Sequence, residues 1–369
     1  MAIGLYLHIP FCASKCPYCD FYSLVGSSEE TKDAYVQALI AAMERWAAEV
    51  AESADTVYLG GGTPSLLGGA RIAALVETAR RVFAVPDGAE ITMEANPGDG
   101  LEEVFSAFAA VGGNRVSLGM QTQDDRQLKL LGRRHTARRT EEGVEAARRA
   151  GIRNLSLDLM LGISGQTSAS VEAAVAHCEA LGASHVSAYL LKVEPETSYA
   201  VAPPPLPGEE ETVMLYHTAA AALERAGYAQ YEISNFARDG QVSRHNLKYW
   251  NLEPYLGLGP AAHSFLNGRR FYYPRSLTAF LKGEPPIAEE EGTTIGENSQ
   301  EEYAMLRLRL TEGLTEVGFA RRFGQAIPAR WRERAAAFPP SLVVADDRGL
   351  RLTREGFLVS DALLARILL

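Results

Sequence analysis

Three of the chain's four cysteines, Cys12, Cys16 and Cys19, fall inside HIPFCASKCPYCDFYS, the stretch from His8 to Ser23. Thiolates spaced this closely on one loop can wrap a single soft metal centre. Four thiolates would close a zinc tetrahedron or a conventional iron–sulfur cluster. Three leave one iron of a 4Fe–4S cube without a protein ligand, open to a small molecule. Two other readings stand beside this one: His8 can complete a zinc knuckle, or the cysteines can pack in a core. Pro10, Pro17 and the lack of helical or strand periodicity put the three on a loop, which favours the cluster. Cys178, alone on a predicted helix, reads as a core cysteine.

Further chemistry-bearing residues recur at the ends of predicted strands. GGGTPS (Gly60–Ser65) offers Gly62 and Thr63, where backbone groups can approach a ligand closely. EANP carries Glu94, GMQ carries Gln121, LLGRRH carries Arg133, and LDLMLGISGQT carries Asp158. Glu94 or Asp158 alone reads as a satisfied strand-end carboxylate. It is their order along successive strands that points to one site. RHNLKYW (Arg244–Trp250) is a separate candidate. His245 offers an imidazole to a haem iron, Tyr249 and Trp250 offer flat faces to a porphyrin, and Arg244 and Lys248 offer cations to propionates. The competing reading makes His245-Asn246 a turn and the two aromatics core. His263, in GPAAHSF, is a rival ligand.

The elements that must position these residues alternate. Strand-like runs are expected at Gly4–Ile9, Thr56–Gly60, Glu90–Ala95, Arg115–Met120, Asn154–Leu161 and His185–Leu191. Helices are expected at Glu29–Val50, Ala70–Phe83, Leu101–Val111, Thr136–Ala150, Ser168–Leu181 and Glu209–Ala226. Ser28 is a candidate N-cap and Gly151 a candidate glycine just past a helix end. Six strand–helix repeats imply parallel strands with helical crossovers. Because the polar signatures sit at strand ends, the fold class is α/β, a partial (β/α)6 TIM-type barrel rather than a doubly wound sheet.

After the proline-rich Ala202–Glu211, residues 228–275 show no clean period, and FLKGEPPIAEEEGTTIGENSQEEY is a second break. The remainder predicts helices at Ser299–Leu310, Glu316–Phe323 and Ala329–Phe338, a hairpin turning at Asp347–Gly349, and a last short helix. The expected domains are therefore residues 1–227 as the barrel, 228–298 as a connecting region with the haem motif, and 299–369 as a smaller C-terminal α+β domain, winged-helix-like.

The formal net charge of −10 and the lack of a basic tail argue against a nucleic-acid partner. MAIGLYLHIPF lacks the features of a signal peptide, and no run approaches the roughly 18 apolar residues of a membrane span. Clustered cysteines in a chain of this kind suggest a reducing compartment, so a cytoplasmic location is expected.

The motifs together resemble the radical S-adenosylmethionine (SAM) superfamily, in which C-x3-C-x2-C holds a 4Fe–4S cluster whose open iron chelates SAM. LYLHIPFCxxKCPYCDF, GGGTPS, SLGMQ, DLMxGxxGQT, YEISNFA and GLGPAAHS are similar over essentially the whole chain to the oxygen-independent coproporphyrinogen III oxidase-like family. The resemblance implies that Tyr6 stacks near SAM, that Gly62, Thr63 and Glu94 bind it, and that Gln121, Arg133 and Asp158 fall on SAM-site positions, which in the oxidase branch belong to a second SAM. Two departures separate the chain from the oxidases. Phe21 stands where their motif continues to a fourth cysteine, and the chain starts too close to Tyr6 for their N-terminal extension. Both match the haem chaperone branch, whose H-N-x-x-Y-W haem motif RHNLKYW resembles. The resemblance implies binding of haem and its delivery to recipient haem proteins. The alternative is oxidative decarboxylation of coproporphyrinogen III in porphyrin biosynthesis. Whether SAM is cleaved, whether the chain dimerises and whether it touches a membrane surface are left open.

Overall fold

A computed structural model of the chain describes residues 2–288 and 299–369; the acidic part of the second break lies outside them. Six strands recur where the alternation predicts them: β1 (Ile3–Ile9), β2 (Ala54–Gly61), β3 (Glu90–Ala95), β4 (Arg115–Gln121), β5 (Asn154–Leu161) and β6 (His185–Leu190). They pair in that order, all parallel. A seventh parallel strand, β7 (Tyr255–Leu258), pairs with β1 on its other side, Gly4 opposite Tyr255. It comes from residues 228–275, where the sequence shows no period. That region also adds antiparallel strands to both edges: His263–Leu266 and Arg269–Tyr272 beyond β7, Asn235–Ala237 and Ala229–Gln230 beyond β6. Among the described residues the two edges of this curved sheet do not pair with each other, so the barrel is open.

Helices cover its outside at Glu29–Glu49, Gly69–Val82, Leu101–Ala110, Ala137–Arg149, Ser168–Ala180 and Glu209–Arg225. The Ser28 side chain accepts from the Thr31 N–H at the start of the first. Gly151, at φ +86°, turns the chain just past Arg149. Such a left-handed residue lets the helix stop and the next strand begin at once.

Each strand shows its aliphatic residues to the helices: Leu5 and Leu7, Val57 and Leu59, Val116 and Leu118, Leu155 and Leu157 are all buried in one core. Side chains alternate along a strand, so the intervening residues point into the barrel. Most of those residues are polar: Tyr58, Glu94, Arg115, Ser117, Gln121, Asp158, His185 and Ser187. A closed TIM barrel fills its interior with branched aliphatics. Here the interior is kept for chemistry, and the apolar core lies between sheet and helices.

The C-terminal part has its own core around Trp331, Phe319, Leu350, Phe357 and Ile367. It contains helices Gln300–Arg307, Glu316–Phe323 and Ala329–Ala336 and the predicted hairpin, Val343–Asp346 with Gly349–Leu352. Leu314–Thr315 joins that hairpin as a third strand. Among the described residues no helix is long and apolar enough to cross a membrane.

Candidate functional site

Parallel strands bring all their C-terminal ends to one face, so residues far apart in sequence converge there. The mouth of the barrel opens on a cavity of about 470 Å³. Its wall includes Cys12, Cys16 and Cys19, and also Gly62, Glu94, Gln121, Arg133 and Asp158. Tyr6, Thr63, Tyr249 and Trp250 are not among its lining residues. Tyr6 faces inward on β1 behind Tyr58, its ring 6.2 Å from that ring and its hydroxyl 3.0 Å from His8 Nδ1.

The cysteine loop is tied to its neighbours by backbone bonds. Gly62 N–H donates to the Ile9 carbonyl at 2.8 Å, Thr63 N–H to the Phe11 carbonyl at 2.8 Å, and Cys19 N–H to the Cys16 carbonyl at 3.1 Å. A Cβ on Gly62 would stand 2.7 Å from both of the first two carbonyl oxygens. A side chain there would force the glycine loop away from the cysteines.

The donor set suits a polynuclear cluster. Three half-buried thiols share one cavity wall, and the Thr63 hydroxyl lies 3.7 Å from the Cys12 sulfur. Among the described residues no three His, Cys, Asp or Glu side chains gather closely enough to hold a single metal ion. A cubane takes each sulfur on a different iron, so it asks for wider spacing than a one-ion site. His8 has no nitrogen to give as a fourth ligand. Its Nδ1 accepts from the Tyr6 hydroxyl, and its Nε2 donates to the Tyr22 carbonyl at 2.9 Å. Burial holds its pKa down at about 4, so it stays neutral.

Below the thiols the cavity turns acidic. Burial raises Glu94 to about 7 against the pull of two donors, the Tyr58 hydroxyl at 2.7 Å and the Gly61 N–H at 3.0 Å. Asp158 is raised too, mainly by burial, although the hydroxyls of Ser187 and Ser117 and the charge of Arg115 oppose the shift. Arg115 is 2% exposed and lines the cavity. No acceptor for its Nε is found among the described residues. Its charge faces the two carboxylates across the cavity rather than through a direct bond.

The opposite, N-terminal face of the barrel is shut by helix Arg244–Trp250, which is the whole of the RHNLKYW candidate. His245 is 0% exposed. Its Nδ1 lies 2.8 Å from Thr56 Oγ1 and its Nε2 2.8 Å from the Tyr249 hydroxyl. Burial first, then Lys248 and Arg115, depress its pKa to about 3. The Glu90 carboxylate accepts the backbone N–H of Arg244 and of His245 at 2.9 and 3.0 Å. Lys248 is buried as well, bonded to Asp55 at 2.8 Å and to the Ala2 carbonyl at 3.1 Å. The expected free imidazole and the expected propionate-binding lysine are therefore both committed inside the protein here. Only Asn246 of this helix reaches the cavity, from below. His263 is exposed and stacks on Tyr272, away from the cavity lining, and Cys178 is buried in the core as expected.

Sequence reasoning missed Tyr58, Asn96, Arg115, Ser117 and Ser187 at the site. A signal for most of them existed. In RVSLGMQ, NLSLDLML and HVSAYL every second residue except Met160 is polar or small, which is unusual for a parallel strand covered on its outer face by helices.

A family model described as the Radical SAM superfamily matches residues 6–178. Among curated relatives, "Heme chaperone HemW" of Mycobacterium tuberculosis is 36% identical over 378 residues, 99% of this chain and 94% of that protein. The Escherichia coli protein of the same name is 35% identical, covering 86% of this chain and 85% of its own length. The Bacillus subtilis one is 36% identical, covering 87% of each. Among solved structures, coproporphyrinogen III oxidase (HemN) from Escherichia coli superposes with a TM-score of 0.84 at 20% identity, over 100% of this chain and 90% of that one.

Proposed function

The chain belongs to the HemW haem chaperone family within the radical SAM superfamily, and on that premise we propose that it binds haem and delivers it to haem proteins. The observation that carries this reading is likeness to haem chaperones along nearly the whole chain rather than over the barrel alone. Family membership implies a 4Fe–4S cluster and SAM. We assign the cluster to Cys12, Cys16 and Cys19. When bound, it supplies an open iron and an electron that can break a sulfonium C–S bond.

In this proposal the remaining residues hold and orient. Gly62 lets backbone come close to the SAM amino group. Glu94, poised near neutrality, accepts from ribose hydroxyls, and Tyr58 fixes its carboxylate. Arg133 offers its guanidinium to a carboxylate, with Gln121 and Asp158 beside it as the family's second SAM positions would require. Tyr6 acts through Tyr58 and His8 instead of by direct stacking. Haem contact by residues 244–250 falls to exposed Arg244 and to the partly exposed Tyr249 and Trp250. For His245 to ligate iron, the helix would have to leave the barrel floor and give up its bonds to Thr56 and Glu90. The same proposal divides the chain near residues 227 and 298 and places it in the cytoplasm.

Titration with haem, followed by mixing with an apo-haem protein, tests the reading. Saturable binding and transfer to the acceptor are expected. Absence of saturable binding, or vinyl product formed from coproporphyrinogen III at a catalytic rate with SAM and a reductant, would overturn it. If the floor stays shut, His245→Ala leaves the Soret band of the complex unchanged; a moved band would mean that the helix opens to meet haem.

A further inference from the structure

Two strand-end loops meet beside the cysteines. Thr63 follows β2 and Asn96 follows β3, and a hydrogen-bonded line runs through both. Arg133 Nη1 donates to Asn96 Oδ1 at 2.7 Å, and Asn96 Nδ2 donates to Thr63 Oγ1 at 2.8 Å. Thr63 Oγ1 then stands 3.7 Å from Cys12 Sγ. Arginine can only donate, so it fixes which end of the Asn96 amide faces it and turns the NH2 toward Thr63. Thr63 spends a lone pair on that donor and keeps its own proton for the sulfur. A metal-bound thiolate can only accept. Every bond in the line thus points the same way, from a cation to an anion.

We propose that Asn96 is a positioning residue that passes the pull of Arg133 through the Thr63 hydroxyl to the Cys12 sulfur, and so sets the potential of the cluster. The inference rests on the reading of the cysteine loop as a cluster site. Hydrogen bonds aligned head to tail polarise one another, and they act more strongly out of water. Thr63 is 5% exposed, and its N–H is pinned to the Phe11 carbonyl one residue before Cys12. A hydrogen bond to a cluster sulfur stabilises the more negative, reduced state and raises the potential. Arg133 and Asn96 also line both the mouth cavity and a second cavity of about 410 Å³ beside it. An anion that settles on Arg133 in either cavity drains the line at its source. The cluster then becomes harder to reduce, which links ligand occupancy to redox state.

The test is a double-mutant cycle read as midpoint potential. The reconstituted full-length protein is titrated with dithionite through mediators, and the one-electron-reduced cluster is followed by electron paramagnetic resonance. Thr63→Val is expected to shift the potential to more negative values, and Thr63→Ser, which keeps the hydroxyl, to restore it. Asn96→Ala is expected to shift it in the same direction by less, and to add nothing in the Thr63→Val background. A shift from Asn96→Ala that is equal in both backgrounds, or absent in both, would overturn the relay. If Asn96→Ala loads no cluster, the infrared S–H stretch of Cys12 in iron-free protein, assigned with Cys12→Ser, gives the same cycle. A band shift confined to the parent supports the relay, and equal shifts in both backgrounds overturn it. Failure of the wild type to take up iron would instead sink the cluster reading itself.

Discussion

The two ends of the barrel carry equally suggestive sequences and do opposite things. At the mouth, Cys12, Cys16 and Cys19 are half-buried, and their sulfurs face a cavity. At the floor, His245 and Lys248 are buried and their polar atoms are bonded to Thr56, Tyr249, Asp55 and the Ala2 carbonyl. A buried polar group bonded inside the protein contributes to cohesion, whereas one left facing a cavity is available to a ligand. Residue type does not separate the two cases; the partners do. A motif that promised a haem ligand is, in this conformation, the plug of a barrel.

If the floor is structural, breaking it should cost stability and spare the mouth. His245→Ala removes a buried ring and strands the Thr56 and Tyr249 hydroxyls, so unfolding in urea should show a loss of about 2–4 kcal/mol. Iron uptake at the mouth should be unchanged in the same variant. A stable variant that no longer holds haem would reverse the assignment. Thr56→Val keeps the shape and leaves one imidazole nitrogen unpaired; a loss of about 1–3 kcal/mol is expected from the same measurement.

The two ends should also titrate with opposite sign. His245 falls from an ordinary 6.5 to about 3, so its contribution to stability is complete above 6.5 and is lost as the pH falls toward 3. Glu94 rises from 4.5 to about 7, so its contribution is complete below 4.5 and is lost as the pH rises through 7. Between pH 4.5 and 6.5 the two oppose each other. Removing the carboxylate with Glu94→Gln should make stability climb more steeply with pH across that window. An unchanged slope in denaturation curves would show that Glu94 is not shifted as its burial implies. The smallest effect belongs to neither end: Ser28→Ala, which only uncaps helix Glu29–Glu49, should cost about 1 kcal/mol and leave cofactor and haem behaviour alone.

Much of this was legible in the chain, for physical reasons that differ by region. The six strands are legible as short runs rich in Val, Ile, Leu and Tyr, each followed by glycine, proline, asparagine or a polar break. Their parallel order puts Cys12, Gly62, Glu94, Gln121 and Asp158 on one face, so the residues of the mouth are legible in the chain itself. β7 could not be read: YLGL is four residues long, and its partner, β1, is some 250 positions away. Arg115 stands in the alternation of RVSLGMQ, but its Nε, which has no acceptor among the described residues, depends on neighbours from other strands that no local pattern shows. His245 misled for the same reason. Thr56 and Glu90, which hold it, lie more than 150 residues upstream.

The central claim is that the mouth triad holds a four-iron cluster and needs no help from His8. Iron and sulfide content after anaerobic reconstitution tests it most directly. The account predicts about four irons per chain in the wild type and in His8→Ala, and loss of the cluster in each of Cys12→Ser, Cys16→Ser and Cys19→Ser. Stoichiometric zinc with no iron, or a cluster that survives the cysteine changes but not His8→Ala, would contradict it.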